Sequence, residues 1–342
     1  VETLTGAVGT DVVTLGGSGN TLVVGGLDTL VGSASNDFVV LNSAGSTLQL
    51  SLVETLTGGA GTDLVSLTTA GSTFLVSLIE TLAGGVGTDA ITLGSAGATV
   101  QVVAIDTLTG GVGTDVVSIS TTGSTFLVSL VETLTGAVGT DVVTLGGSGA
   151  TLVVGGLDTL TGSSGADFVT LNSAGSTLQL SLVETLVGGA GTDLVTLSGG
   201  STIILRGVET LVGSSTTDVV TIGNTGATMQ VAGVDTLIGG TGTDVVSIST
   251  VGSTMLVSLV ETLVGSVATD AITLGASGST LVVTLLDTLT GGAGTDFVTL
   301  TSEGSTLLVS LIETLTGTLA GTDVITLGGS GNTLLANNLD TL

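Results

Sequence analysis

A motif of 26 residues recurs from one end of the chain to the other, and a repeat of that length restricts the fold to a stack or array of one small unit. Repeats begin at Val1, Leu27, Val53, Ile79, Ile105, Val131, Leu157, Val183, Val208, Val234, Val260, Leu286 and Ile312, followed by a four-residue start at Leu339. The eighth is one residue short and the thirteenth one residue long. Residues 1–52 return almost unchanged at 131–182, the mark of a recent duplication of five units.

Residues 53–78 represent the unit: VETLTGGAGTDLVSLTTAGSTFLVSL. Position 4 is Leu in every copy, position 13 is Val or Ile and position 15 is Leu or Ile. This period of two is that of a half-buried strand. A third apolar stretch fills positions 22 to 26, and glycines cluster at positions 6 to 9 and near position 19, as in Gly45, Gly71 and Gly97. Glycine supplies the positive φ that sharp corners need. Three short strands cannot bury their apolar faces alone, but stacked units can do so in parallel ladders about 4.8 Å apart. The expected fold is therefore all-β, a parallel β-solenoid (β-helix or β-roll) over residues 1–342, a single tandem-repeat domain of about thirteen 26-residue coils. At that spacing it would be roughly 60 Å long. Sandwich or propeller repeats are the alternative, but 26 residues is short for a four-stranded blade.

Composition removes most chemistry. There are 28 acidic side chains against one basic residue, Arg206, and no His, Cys, Pro, Trp or Tyr. Imidazole-dependent nucleophiles, zinc sites and Lys- or Arg-based phosphate handling lack their groups. A polysaccharide lyase on a β-helix would need basic residues clustered off the repeat, and only Arg206 departs from it, so the chain is expected not to be an enzyme. A formal charge of −27 repels nucleic acid and anionic membranes and makes cations, divalent ones first, the natural partners. Acids interrupt the chain too regularly for a transmembrane segment. The start shows neither a basic region nor a cleavage site and reads as a mature chain or an excerpt.

The segment Gly58-Gly59-Ala60-Gly61-Thr62-Asp63-Leu64-Val65-Ser66 matches the nonapeptide G-G-x-G-x-D-x-U-x. Matches through the Asp recur at Gly84, Gly85, Gly87 and Asp89, at Gly110, Gly111, Gly113 and Asp115, and at the loops closing on Asp193, Asp244 and Asp296. The loops closing on Asp11, Asp37, Asp141, Asp167, Asp218, Asp270 and Asp323 are degenerate, yet the Asp is kept in all thirteen. In this motif the chain resembles the RTX calcium-binding β-roll family. The resemblance implies that loops of adjacent coils hold multiple Ca²⁺ ions through these Asp carboxylates and the carbonyls of the glycine-rich turns. Calcium wants six to eight oxygens, and glycines let carbonyls approach where a Cβ would interfere. The family places nonapeptides back to back, whereas a matching one occurs here once per 26 residues, so a larger coil with its metal ladder on one edge is expected.

A second acidic column stands at position 2, for example Glu54, Glu80 and Asp106, always before Thr-Leu. It lacks the glycines and is expected to be a solvated ladder. Carboxylates stacked one per coil near 4.8 Å repel by roughly 0.9 kcal/mol per pair even in water. Asp at position 11 could merely cap each turn, but Asn or Ser would do that without repulsion and no copy uses them, which favours calcium. Thr recurs at positions 3 and 21, and flat Thr arrays can bind ice, although Thr ladders are common in parallel sheets. The resulting expectation is an extracellular or cell-surface, secreted bacterial structural protein: a calcium-stabilised filament, surface-layer or stalk segment. An adhesin spacer or an ice- or mineral-binding solenoid is the alternative. The chain opens on Val1-Glu2-Thr3-Leu4 and stops at Leu339-Asp340-Thr341-Leu342 without a cap, so end-to-end self-association into filaments is expected too.

Overall fold

The computed structural model describes every residue except 1, 43, 44, 70, 95, 96, 122, 173, 174, 224, 250, 251, 276, 302, 303, 330, 331 and 342, so the terminal Val1 and Leu342 of the repeat lie outside the described residues. The described residues form short strands and no helix. They divide into two compact units, Val1–Val169 and Thr170–Leu342.

The first unit opens with β1 (Glu2–Thr5), β2 (Val12–Thr14), β3 (Thr21–Gly25), β4 (Thr29–Val31), β5 (Phe38–Leu41), β6 (Thr47–Ser51), β7 (Thr55–Thr57), β8 (Leu64–Leu67), β9 (Thr73–Ser77), β10 (Thr81–Ala83) and β11 (Ala90–Leu93). Odd strands stack on odd ones in one parallel sheet, β1 on β3, β3 on β5 and onward to β11. Even strands form a second sheet in the same way. One coil thus takes one strand from each sheet. The second unit is built alike, Thr177–Ser181 pairing with Leu194–Leu197 and that strand with Thr210–Val212.

The solenoid expected from the repeat is present, but as about nineteen turns of roughly 17 residues, not as thirteen 26-residue coils. The 26-residue unit carries three strands and a coil takes two, so each unit fills one and a half coils and successive units begin on opposite sheets. The structure repeats after 52 residues, or three coils. Strands of different kind can stack because all share the inward period of two: Leu22, Val39, Leu56 and Val76 form one continuous inward column. Partner offsets run 17, 17 and 20, as in Thr21, Phe38, Thr55 and Leu75. Three coils therefore advance 54 residues along a column against 52 in sequence, a drift of one pleat that keeps every side chain on its own face.

Positions 1, 4, 13, 15, 22 and 24 fill the space between the sheets, as with Val53, Leu56, Val65, Leu67, Phe74 and Val76. Each fully buried side chain of this size contributes about 1.5–3 kcal/mol. Phe74 and Phe126 are core residues, whereas Phe38, Phe168 and Phe297 point outward. Length changes fall in corners: the eighth unit has four residues, 198–201, between strands where units two to seven and nine to twelve have five, and the thirteenth lengthens its glycine loop to 317–323.

Candidate functional site at the acidic corners

Three kinds of corner join the strands. The glycine loop covers positions 6 to 11, a second loop positions 16 to 20, and a short corner runs from position 26 to position 2 of the next unit. Along one edge they alternate in a fixed order: loop 58–63 between β7 and β8, corner 78–80 between β9 and β10, the turn of the chain after β11, then glycine loop 110–115. Because a unit is one and a half coils, consecutive Asp residues at position 11 lie on opposite edges. On one edge they recur every third coil, roughly 14 Å apart at the coil spacing. The expected single ladder of stacked Asp carboxylates is thus replaced by two sparse columns, and the repulsion between coil-adjacent position-11 Asp residues does not arise.

The Asp side chains point inward and are buried, with Asp63, Asp89, Asp115, Asp193, Asp244 and Asp296 fully inaccessible and Asp141, Asp218, Asp270 and Asp323 equally so. Asp37 and Asp167 are 1 % exposed, and Asp11, in the first coil, is partly exposed. The Asp11 carboxylate accepts from Ala7 N–H, and each of the other twelve bonds two backbone amides. Oδ2 of Asp63 accepts from Gly59 N–H at 2.8 Å and Oδ1 from Ser46 N–H, in the preceding coil, at 2.7 Å. Asp89 does the same with Gly85 and Ser72, and Asp115 with Gly111 and Ala98. Degenerate loops are no poorer: Asp218 accepts from Ser214 N–H at 2.6 Å, Ser201 N–H at 3.0 Å and the Ser214 hydroxyl at 3.0 Å. A buried group that must accept two N–H bonds through two atoms cannot be Asn, which has one acceptor oxygen. That explains the Asp of the twelve copies with a coil before them without calling on charge.

The position-2 acids have a structural role of their own. The Asp63 amide donates to Glu80 Oε2 at 2.8 Å, the Asp89 amide to Asp106 Oδ2 at 2.8 Å and the Asp115 amide to Glu132 Oε2 at 2.7 Å. What resembled an eroded, solvated ladder is a second staple, reaching down one coil. Burial pushes the Asp37 carboxyl up, but the Ser33 amide, the Asn20 side chain and amide, and the Ser33 hydroxyl outweigh it and hold the group below its ordinary value.

The glycines have separable reasons. A Cβ on Gly58 would overlap the carbonyl oxygen of Leu78 and come within 2.8 Å of Asp63 Oδ2. Gly84 and Gly110 stand in the same relation to Ala104 and Leu130. Gly85 and Gly111 abut carbonyls of the preceding coil, while Gly61, Gly87 and Gly113 have φ of 100°, 105° and 113°. Gly59, the remaining glycine of the first complete loop, supplies the amide bonded to Asp63. Sequence reasoning missed the residue at position 26, which is left-handed in every unit, including Leu52, Leu78 and Leu130 at φ 52°, 54° and 54°. The signal was there: four copies carry Gly (Gly26, Gly156, Gly207, Gly233) and one carries Asn338.

For calcium, the donor set fits in kind. A carboxylate oxygen and a carbonyl oxygen meet over the bare α-carbon of position-6 glycines such as Gly58, Gly84 and Gly110, and the next coil brings a second carboxylate; all are hard oxygens. The family's stacking of one complete loop on another is absent, since two other kinds of corner intervene. Among the described residues no three acidic side chains gather as a metal cluster, and no helix is long and apolar enough to cross a membrane.

The family model for the RTX calcium-binding nonapeptide repeat matches the chain four times, at residues 23–43, 145–173, 231–247 and 287–302. These four matches, in a parallel β-solenoid, fit an RTX-type repeat protein. Such repeats imply that it binds Ca²⁺. Two matches span the degenerate loops closing on Asp37 and Asp167, so the RTX signal does not depend on complete glycines. Searches of curated proteins and of solved structures gave no match.

Proposed function

We propose that this RTX-type chain is a secreted, extracellular structural element, a stalk, filament or surface-layer segment, and not an enzyme. The observation that carries the reading is the distribution of its charge. Thirteen acids occupy position 11, fourteen occupy position 2, and Glu303 alone of the 28 stands elsewhere, so nearly every charged group has the same corner-building task in every unit. Among the described residues no three acidic side chains gather off this pattern. Calcium would be held at the corners by the position-11 Asp, the position-2 acid of the next coil and the loop carbonyls, adding to the stability of the stack at the millimolar calcium of extracellular fluids.

The test combines calorimetric calcium titration with electron microscopy of the purified chain. Saturable binding, a higher melting temperature in calcium and slender particles support the reading. No binding at millimolar calcium overturns the metal part, and compact particles overturn the structural part. The ice-binding alternative requires an unbroken Thr plane, and the outward column Thr21, Phe38, Thr55, Leu75, Thr92 breaks it with bulky residues.

A further inference from the structure

One coil above each short corner, on the same edge, lies the second loop of the next unit, and the surface between them opens into a cleft. At Leu130 the cleft encloses about 430 Å³, with Leu130 and Glu132 on one side and Gly146, Gly147 and Ala150 on the other. Its counterparts at Leu78 and Leu259 enclose about 340 and 490 Å³, and the one at Leu52 about 110 Å³. Where the corner carries glycine, at Gly26, about 10 Å³ is left. The leucine forms the outer wall: Leu130 is 67 % exposed and left-handed at φ 54°, a conformation that glycine takes freely and a β-carbon opposes. Seven of the thirteen units keep leucine there although glycine serves in four, so folding alone does not account for it.

Two backbone groups of the Leu130 cleft lack partners among the described residues: the Leu130 N–H has no acceptor and the Gly146 C=O has no donor. The thirteenth unit shows what fits such a pair. There the Asn332 side chain stands in the equivalent cleft, its Oδ1 accepting from Leu311 N–H at 3.0 Å and its Nδ2 donating to Gly328 C=O at 2.7 Å. Leu311 and Gly328 hold the same positions of the repeat, 26 and 16, as Leu130 and Gly146. Ala150 holds the position of Asn332 and has no group with which to bridge them. An ammonium or guanidinium could not accept from the Leu130 N–H. A carboxylate could not donate to the Gly146 C=O, and it would face Glu132 in a chain of net charge −27. A primary carboxamide carries both functions, and the alkyl group behind it can lie on the exposed Leu130 side chain.

We infer that the clefts walled by a left-handed leucine bind primary carboxamides, the group of asparagine and glutamine side chains, the carbonyl oxygen on the Leu130 N–H and the amide N–H on the Gly146 C=O. The inference rests neither on calcium nor on the structural reading above. The probe is acetamide, titrated in chelator into the full chain carrying isotopically labelled leucine, with the Leu130 N–H resonance located by its loss in Leu130→Gly. The expected result is a saturable shift of that N–H, with binding at least about fivefold weaker for N,N-dimethylacetamide, which keeps the carbonyl and lacks the donor. Asn332→Ala should empty a further cleft, so that the Leu311 N–H, unresponsive in the parent, shifts with acetamide in the variant. Free glutamine and the peptide Ala-Gln-Ala then separate the sources, tighter binding of the peptide supporting a protein side chain and tighter binding of glutamine a free amino acid. No saturable shift at Leu130, equal affinity for dimethylacetamide, or a Leu311 N–H as responsive before the substitution as after it would each overturn the inference.

Discussion

Replacing Asp89 with Ala removes the acceptor for two amides at once. Its carboxylate is wholly buried and takes Gly85 N–H at 2.7 Å and Ser72 N–H at 2.9 Å, so both donors are left inside the corner without a partner. A buried amide left unpaired costs about 1–3 kcal/mol, and the pair about 2–6 kcal/mol. Asp218→Ala in a degenerate loop should cost as much, since Asp218 bonds the Ser214 and Ser201 amides in the same way. Neither account includes a metal or a second glycine, so the two losses should agree within about 1 kcal/mol in chelator. A solenoid unfolds by neighbour-coupled repeats, which makes one global melt a poor measure. Hydrogen exchange followed by mass spectrometry reads the corner directly: the peptides holding Ser72 and Gly85 should exchange at least about 30-fold faster in Asp89→Ala. Asp89→Asn should behave similarly, because its amide nitrogen would face an N–H. Unchanged exchange, or a harmless Asp218→Ala beside a damaging Asp89→Ala, would refute the amide-staple account and return the glycines to a metal cradle.

The Asp37 carboxyl is held below its ordinary value, so its contribution is present at neutral pH and above the unfolded value of about 3.9, and is lost only as pH falls through the lower folded value. Carbon-detected titration of Asp37 should give a midpoint below about 3.9; one at or above it contradicts the arrangement. Leu78→Gly should stabilise by roughly 0.5–1 kcal/mol by removing the left-handed strain of a β-carbon, as four natural copies with Gly there suggest, and thermal melting would show a loss if the exposed leucine were needed for folding. Gly58→Ala should cost about 3 kcal/mol or prevent stacking, because its Cβ meets a backbone carbonyl. Gly199→Ala, which meets nothing within 4 Å and has no positive φ, should change stability by less than about 0.5 kcal/mol; equal denaturation curves for the two would discount the close approach at Gly58.

Much of the fold was legible because its signals are local. Leu56, Val65, Leu67 and Phe74 announce inward faces by alternation, and Gly45 and Gly71 mark left-handed turns that the structure has at φ 83° and 72°. The acids were legible as columns, but their chemistry was not. That Asp63 faces inward onto Gly59 and Ser46 depends on Ser46 lying one coil below, 17 residues away, a distance the 26-residue period does not contain.

The sequence by itself determined the parallel stacked solenoid, its three strands per unit, its inward residues and the restriction of acids to corners, because period-two patterning and turn residues act over a few neighbours. Only the tertiary structure decided how far the chain travels to close a coil. Closure is set by the angles of three different corners and the gap between the sheets, and the strands' shared inward pattern lets any one stack on any other. A repeat of 26 residues therefore winds as one and a half turns, placing successive Asp residues on opposite edges.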